Sequence, residues 1–179
     1  MKRIVALLFL LPFLLAFVSQ KAKPTKPLKA YPVKIRITQT SNYCGGAAPS
    51  QEMIQELNTP KAYAYQTFYL RSGSKNSLNF KSLIKVKTDS TGTIRTKLKP
   101  GTYVLLFTSM VNKPDTAKFR NNTNYEFSGI ECLNEWWSKG WQVITVRTKN
   151  NDLSFNIHFP CFTDPINGPC MDYRGPYPP

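Results

Sequence analysis

The chain has 179 residues, with 24 Lys and Arg against 10 Asp and Glu, a formal net charge of +14, one histidine and four cysteines. That length fits one domain and can bury a core without relying on cross-links. A single histidine excludes metal centres that need a histidine pair and narrows the options for nucleophile activation, while the basic excess directs attention to acidic partners.

Residues 1–19 have the layout of a secretory signal. Lys2 and Arg3 precede an apolar run from Ile4 to Val18, whose 15 residues fall short of the roughly 20 needed to span a bilayer. Cleavage is expected after Ser19, with Ala16 as the other candidate position. Without Lys2 and Arg3 the chain keeps 22 basic and 10 acidic residues, a net of +12. Residues 20–32 form a basic, Pro-containing flexible lead-in.

A domain is expected over 33–160. Val33, Ile35 and Ile37 alternate with Lys34, Arg36 and Thr38, which predicts a half-buried strand with a charged outer face. After the Tyr43-Cys44-Gly45-Gly46 turn, Pro49 suits a first helical turn and Met53, Ile54 and Leu57 make an apolar stripe, predicting a short packed helix that stops at Asn58-Thr59-Pro60. Strands are predicted at 65–71 and 80–88. From Val86 to Leu106 the pattern reads as a β-meander of three strands. Asp89, Ser90 and Gly92 supply the first turn and Pro100-Gly101 the second, while Ile94, Thr96 and Leu98 share one face.

Loop signals at Asn112, Pro114 and Asn121-Asn122 mark an insertion over 109–140, with a helical turn at 131–138 carrying Trp136 and Trp137. Strands follow at 141–147 and 153–159. The segment 161–179 is then a Pro-rich tail closed by a disulfide. Cys44, Cys132, Cys161 and Cys170 allow three pairings in an oxidising compartment. The short spacing from Cys161 to Cys170, across Pro165 and Asn167-Gly168-Pro169, favours closing that loop and leaves Cys44 with Cys132.

About seven short strands, one or two short helices and no βαβ alternation predict a mainly β fold, an antiparallel β-sandwich of transthyretin-like or Ig-like type. The order strand, Thr88-to-Gly92 turn, strand, Leu98-Lys99-Pro100-Gly101-Thr102-Tyr103, strand resembles the carboxypeptidase regulatory-like and transthyretin-like β-sandwich modules of secreted bacterial proteins. The opening Thr38 to Ala47 and the ending Cys170 to Pro179 resemble small secreted proteins of the Bacteroidetes group. The resemblance implies a non-catalytic module and assigns no site residues.

His158 is the one histidine, and in Phe155-Asn156-Ile157-His158-Phe159 alternation places it with Asn156 on the face opposite the apolar residues, as a solvated or hydrogen-bonded strand histidine. His158, Cys161 and Met171 offer a soft-metal set, which a disulfide at Cys161 would dismantle. Glu131 and Glu135 beside Trp136 and Trp137 outline a carbohydrate site, against the simpler reading of a solvated acidic edge. A secreted hydrolase or metal-handling protein with a site near His158 or the Glu131 to Trp137 segment is therefore the alternative to a binding module. No cofactor and no metal are expected.

The charge pattern is the stronger signal. Between Lys61 and Lys99 nine basic residues meet one acidic residue, Asp89. Lys81, Lys85 and Lys87 share one parity, as do Arg95, Lys97 and Lys99, so both strands can turn their cations to one solvent face. The expected function is an exported binding or structural module of the cell envelope or outside it. Its basic face would attract an anionic glycan, lipopolysaccharide or extracellular DNA; a cell-envelope protein is the other expected partner.

Overall fold

A computed structural model of the chain describes residues 29–80, 82–119, 124–166 and 168–176; the expected signal 1–19, the lead-in up to residue 28 and the last three residues lie outside them. Strand β1 (Tyr31–Ser41) is the centre of the first sheet. Its alternation works as the sequence predicts: Val33, Ile35 and Ile37 are buried, and Lys34 and Arg36 exposed. On one side β1 pairs antiparallel with β5 (Thr93–Leu98) and then with β2 (Lys61–Ala62). On the other it pairs in parallel with β9 (Asp152–Phe159), from Lys34 opposite Asp152 to Ser41 opposite Phe159.

The second sheet runs β4 (Leu83–Lys87), β3 (Thr67–Ser72), β6 (Gly101–Phe107) and β8 (Gln142–Val146), antiparallel throughout. Val33, Ile35, Ile94, Leu98 and Ile157 of the first sheet share one core with Phe68, Leu70, Leu105, Phe107 and Ile144 of the second. The Phe68 ring lies 5.5 Å from Phe107 and 5.6 Å from Trp141. The fold is thus mainly β and sandwich-like, as expected.

All five residues from Tyr103 to Phe107 are buried, so β6 is covered on both faces. The second cover comes from the segment after β6, through the 3-10 turn Thr108–Met110 and the end of a helix over Ile130–Lys139; a second 3-10 turn (Thr116–Phe119) and β7 (Tyr125–Phe127) lie between them in sequence. Gly140 ends that helix at φ +68 and is seated so closely on Val104 and Leu106 that a Cβ would collide with both. Asn76 ties this layer down. Its Nδ2 donates to Met110 O at 2.8 Å and Trp137 O at 3.0 Å, and its N–H donates to Ser138 O at 2.7 Å. Its Oδ1 accepts from Arg71 Nη1 at 2.5 Å, while Arg71 Nη2 donates to Val111 O at 2.9 Å.

The segment Val86 to Leu106 is not a meander. Its three strands enter the second, first and second sheets in turn, so the Thr88 to Gly92 turn is an arch between sheets and not a hairpin. Gly92 at φ +73 presses against β1, with Ile37 N–H donating to its carbonyl at 2.8 Å, and a Cβ there would strike the Ile37 carbonyl. This docking selects the arch. Three strands were not anticipated: β2, β7 and β10 (Met171–Tyr173), the last pairing with β7.

The helix α1 (Gln51–Asn58) forms with Ser50 as its cap, Oγ accepting from Met53 N–H at 3.2 Å, yet it packs only lightly, with Leu57 half-buried beside the end of β1. None of its residues is buried, and Met53 and Ile54 are 44% and 42% exposed. The second helix is α2 (Ile130–Lys139), two residues longer than expected, with Leu133 and Trp137 buried. Trp136 and Trp141 are half-buried against the core.

The disulfides are Cys44–Cys161 and Cys132–Cys170, which overturns the expected closure of Cys161 with Cys170. Parallel pairing is the reason for the first: β1 and β9 finish at the same end, with Ser41 opposite Phe159, and Cys44 and Cys161 follow just after. The second follows from Phe127 pairing with Met171, which brings Cys170 beside the start of α2. The tail is therefore fixed to two other segments and not closed on itself.

Two outcomes test this architecture. Non-reducing peptide maps should yield Cys44 joined to Cys161 and Cys132 joined to Cys170, and a Cys161–Cys170 peptide would refute the pairing. Asn76→Ala should lower unfolding stability by about 2–4 kcal/mol in urea titrations, because it strips partners from a buried guanidinium and two carbonyls. Asn76→Asp should also destabilise despite adding a charge opposite Arg71, since an oxygen would then face the carbonyls of Met110 and Trp137.

Candidate functional site

The sandwich presents a groove of about 590 Å3 where the start of β1, the strand β5 and the β8–β9 loop meet. Four cations line it: Lys34, Arg95, Lys97 and Lys149, against one carboxylate, Asp152. Register explains the concentration. Lys34 stands opposite Arg95 across the antiparallel ladder and opposite Asp152 across the parallel one, and Lys97 stands opposite Pro32. Like charges facing each other across strands cost stability, and with four cations against one carboxylate this part of the sheet carries a net positive potential.

Local structure holds the groove open. Asn151 is buried, and its side chain staples the β8–β9 loop: Nδ2 donates to Arg147 O at 2.7 Å and Pro32 O at 3.2 Å, and Oδ1 accepts from Arg147 N–H at 2.8 Å. Asn150 takes a left-handed φ of 56, which turns the chain beside Lys149. Arg95 is 68% exposed and lies 3.9 Å from Asp89, a weak, solvent-screened pairing. Asp89 itself is occupied with the arch, its Oδ1 accepting from Thr91 Oγ1 at 2.7 Å, Thr91 N–H at 2.8 Å and Thr93 N–H at 2.9 Å. The Thr91 hydroxyl bond first, and the Thr93 amide second, hold its carboxyl below its ordinary range.

The six cations singled out from sequence are divided by the fold. Arg95 and Lys97 line the groove; Lys85 and Lys87 lie on β4 in the other sheet, exposed, with Lys87 Nζ 5.9 Å from the Tyr65 ring centroid. Lys99 is exposed just beyond β5, and its carbonyl accepts from Tyr103 Oη at 2.9 Å. Lys81 lies outside the described residues. The expected single sheet face is therefore two faces, because the arch sends β4 and β5 into different sheets. Lys34 and Lys149 were missed as members. Lys34 was visible in the outer parity of β1, whereas nothing in a Lys149-Asn150 turn says which strand it overhangs.

His158 stands on the outer face of β9, as alternation predicts, with Nδ1 3.2 Å from Thr40 Oγ1. Asn156 Nδ2 donates to Thr40 Oγ1 at 2.8 Å, and Thr38 Oγ1 donates to Asn156 Oδ1 at 3.0 Å, so these four side chains form a polar ladder between β1 and β9. Cys161 is bonded to Cys44 and Met171 is buried, which removes both from a metal set with His158. Among the described residues no group of three or more His, Cys, Asp and Glu is placed to hold a metal ion. Glu131 and Glu135 are exposed on α2, while Trp137 beside them is buried.

The Asp89 geometry sets a pH dependence. A carboxyl with a lowered folded-state pKa stabilises the fold above its ordinary value near 3.8 and loses that contribution as pH falls through the folded-state value. Wild-type protein should therefore lose stability on acidification in that window, and Asp89→Asn should flatten the loss, as followed by thermal melts at stepped pH.

Among the described residues no helix is long and apolar enough to cross a membrane. In comparisons with known proteins, no family model, no curated protein and no solved structure matches this chain.

Proposed function

We propose that the chain is an exported, non-catalytic binding module of the cell envelope that holds an acidic polymer across the groove of Lys34, Arg95, Lys97 and Lys149. The observation that carries this reading is the set of four cations around one shallow groove with a single carboxylate. A repeating anion, such as a sulfated or phosphorylated glycan, lipopolysaccharide or extracellular DNA, satisfies several such cations at once and releases counterions. Two disulfides suit an oxidising compartment, and the signal-like leader supports export. The regulatory-like type of sandwich, suggested by the Thr88 to Gly92 and Leu98 to Tyr103 turns, belongs to the same proposal.

The test is retention on immobilised lipopolysaccharide, sulfated glycan and DNA at low and high salt. Changing Lys34, Arg95, Lys97 and Lys149 together to Ser should abolish retention, whereas changing Lys85 and Lys87 to Ser should leave most of it. On DNA, each cation removed from the contact should lower the slope of log affinity against log salt by roughly 0.7–0.9. Retention that ignores salt, or that survives the fourfold change, overturns the proposal.

A further inference from the structure

Strand β9 is an edge whose outer side meets no strand among the described residues. Lys34 N–H donates to Asn151 O and Asn42 N–H to Phe159 O, so the odd-numbered residues of β9 turn their backbone groups to β1. By alternation, the N–H and C=O of Ser154, Asn156 and His158 point away from the sheet. Two other edges carry charges that discourage pairing, Lys85 and Lys87 on β4 and Arg95 and Lys97 on β5, while the edge β8 carries none but is only five residues long. Beyond Asp152 at its start, β9 has no Lys, Arg, Asp, Glu or Pro over its remaining seven residues. It is a long edge without those guards.

This edge borders a groove. A cleft of about 310 Å3 lies between β9 and the C-terminal half of α2, with Phe107, Met110 and Ile157 buried beneath it and Trp136 and Trp141 half-buried along it. Lys139 is the charged residue of its lining, and no carboxylate faces it there. Glu131 and Glu135 are on the same helix but do not line the cleft. The helix wall is held by the Cys132–Cys170 disulfide and by Asn76, so the cleft is preformed. An edge strand facing a helix across an apolar floor is the geometry that accepts an extended peptide as an added strand.

We propose that the outer edge of β9 receives an extended peptide segment of a partner protein, paired to Ser154, Asn156 and His158, with an apolar side chain over the Trp136–Trp141 floor and a carboxylate against Lys139. The backbone ladder supplies affinity, and the floor and the lone cation select for alternating apolar residues flanked by an acidic group. This site is separate from the basic groove.

The experiment is selection of random displayed peptides of about ten residues on the purified, disulfide-bonded protein, followed by synthesis of the enriched sequences. The expected peptides alternate apolar residues and carry Asp, Glu or a free C-terminus, and they slow amide exchange at Ser154, Asn156 and His158. N-methylation of the peptide in the bonding register should weaken binding about tenfold, and methylation in the intervening register should not. Lys139→Glu should weaken binding by a similar factor. Binding should persist when Lys34, Arg95, Lys97 and Lys149 are all Ser, which distinguishes this site from polyanion binding. No enrichment, binding indifferent to both N-methylation registers, unprotected amides at the three residues, or self-pairing of two copies through β9 would each overturn the proposal.

Discussion

A guanidinium shut away from water, with no carboxylate paired to it among the described residues, lies between the second sheet and its outer layer. Burial pushes the Arg71 pKa down, yet an arginine keeps its proton, so the charge has to be met by neutral acceptors. Asn76 Oδ1 and the Val111 carbonyl meet it on two nitrogens, and among the described residues Nε has no hydrogen-bond partner. The same amide spends its two Nδ2 hydrogens on Met110 and Trp137. One side chain thus couples β3, the turn after β6 and the end of α2, and the placement of Trp136, Lys139 and Gly140 follows from it.

Much of the strand content was legible because burial on one face writes itself into alternate residues. Val33 to Ile37, Ile94 to Leu98 and Phe155 to Phe159 all show this, and all three lie as their parity requires. What parity leaves open is the partner. Asp89 to Gly92 has the chemistry of any tight reversal, and whether it makes a hairpin or an arch is decided by the fit of Gly92 against Ile37, more than 50 residues earlier in the chain. The same gap explains the cysteines: loop-closure reasoning weighs chain length, while the observed pairs follow from two strand pairings, one of them parallel and without the crossover helix that normally announces it.

The helices show a related division. Met53, Ile54 and Leu57 do form a stripe on α1, but a stripe specifies a face and not its cover. At the basic groove, Arg95 and Lys97 could be read from β5 alone. Their company with Lys34 is a matter of register and with Lys149 a matter of loop overhang, neither of which is encoded nearby. Sequence therefore displayed the charge and half of the members, and the fold supplied the gathering.

Pairing the first strand of the sandwich with its last has a kinetic consequence. Thr40 and His158, neighbours across β1 and β9, are 118 residues apart, so one side of the central strand stays unsatisfied until almost the whole domain is available. Contacts of such long range fold slowly, and a chain emerging from its N-terminus cannot complete its first sheet early. Until β9 arrives, that flank of β1 has no strand to pair with, which keeps the unfinished polypeptide extensible while most of the domain is being made.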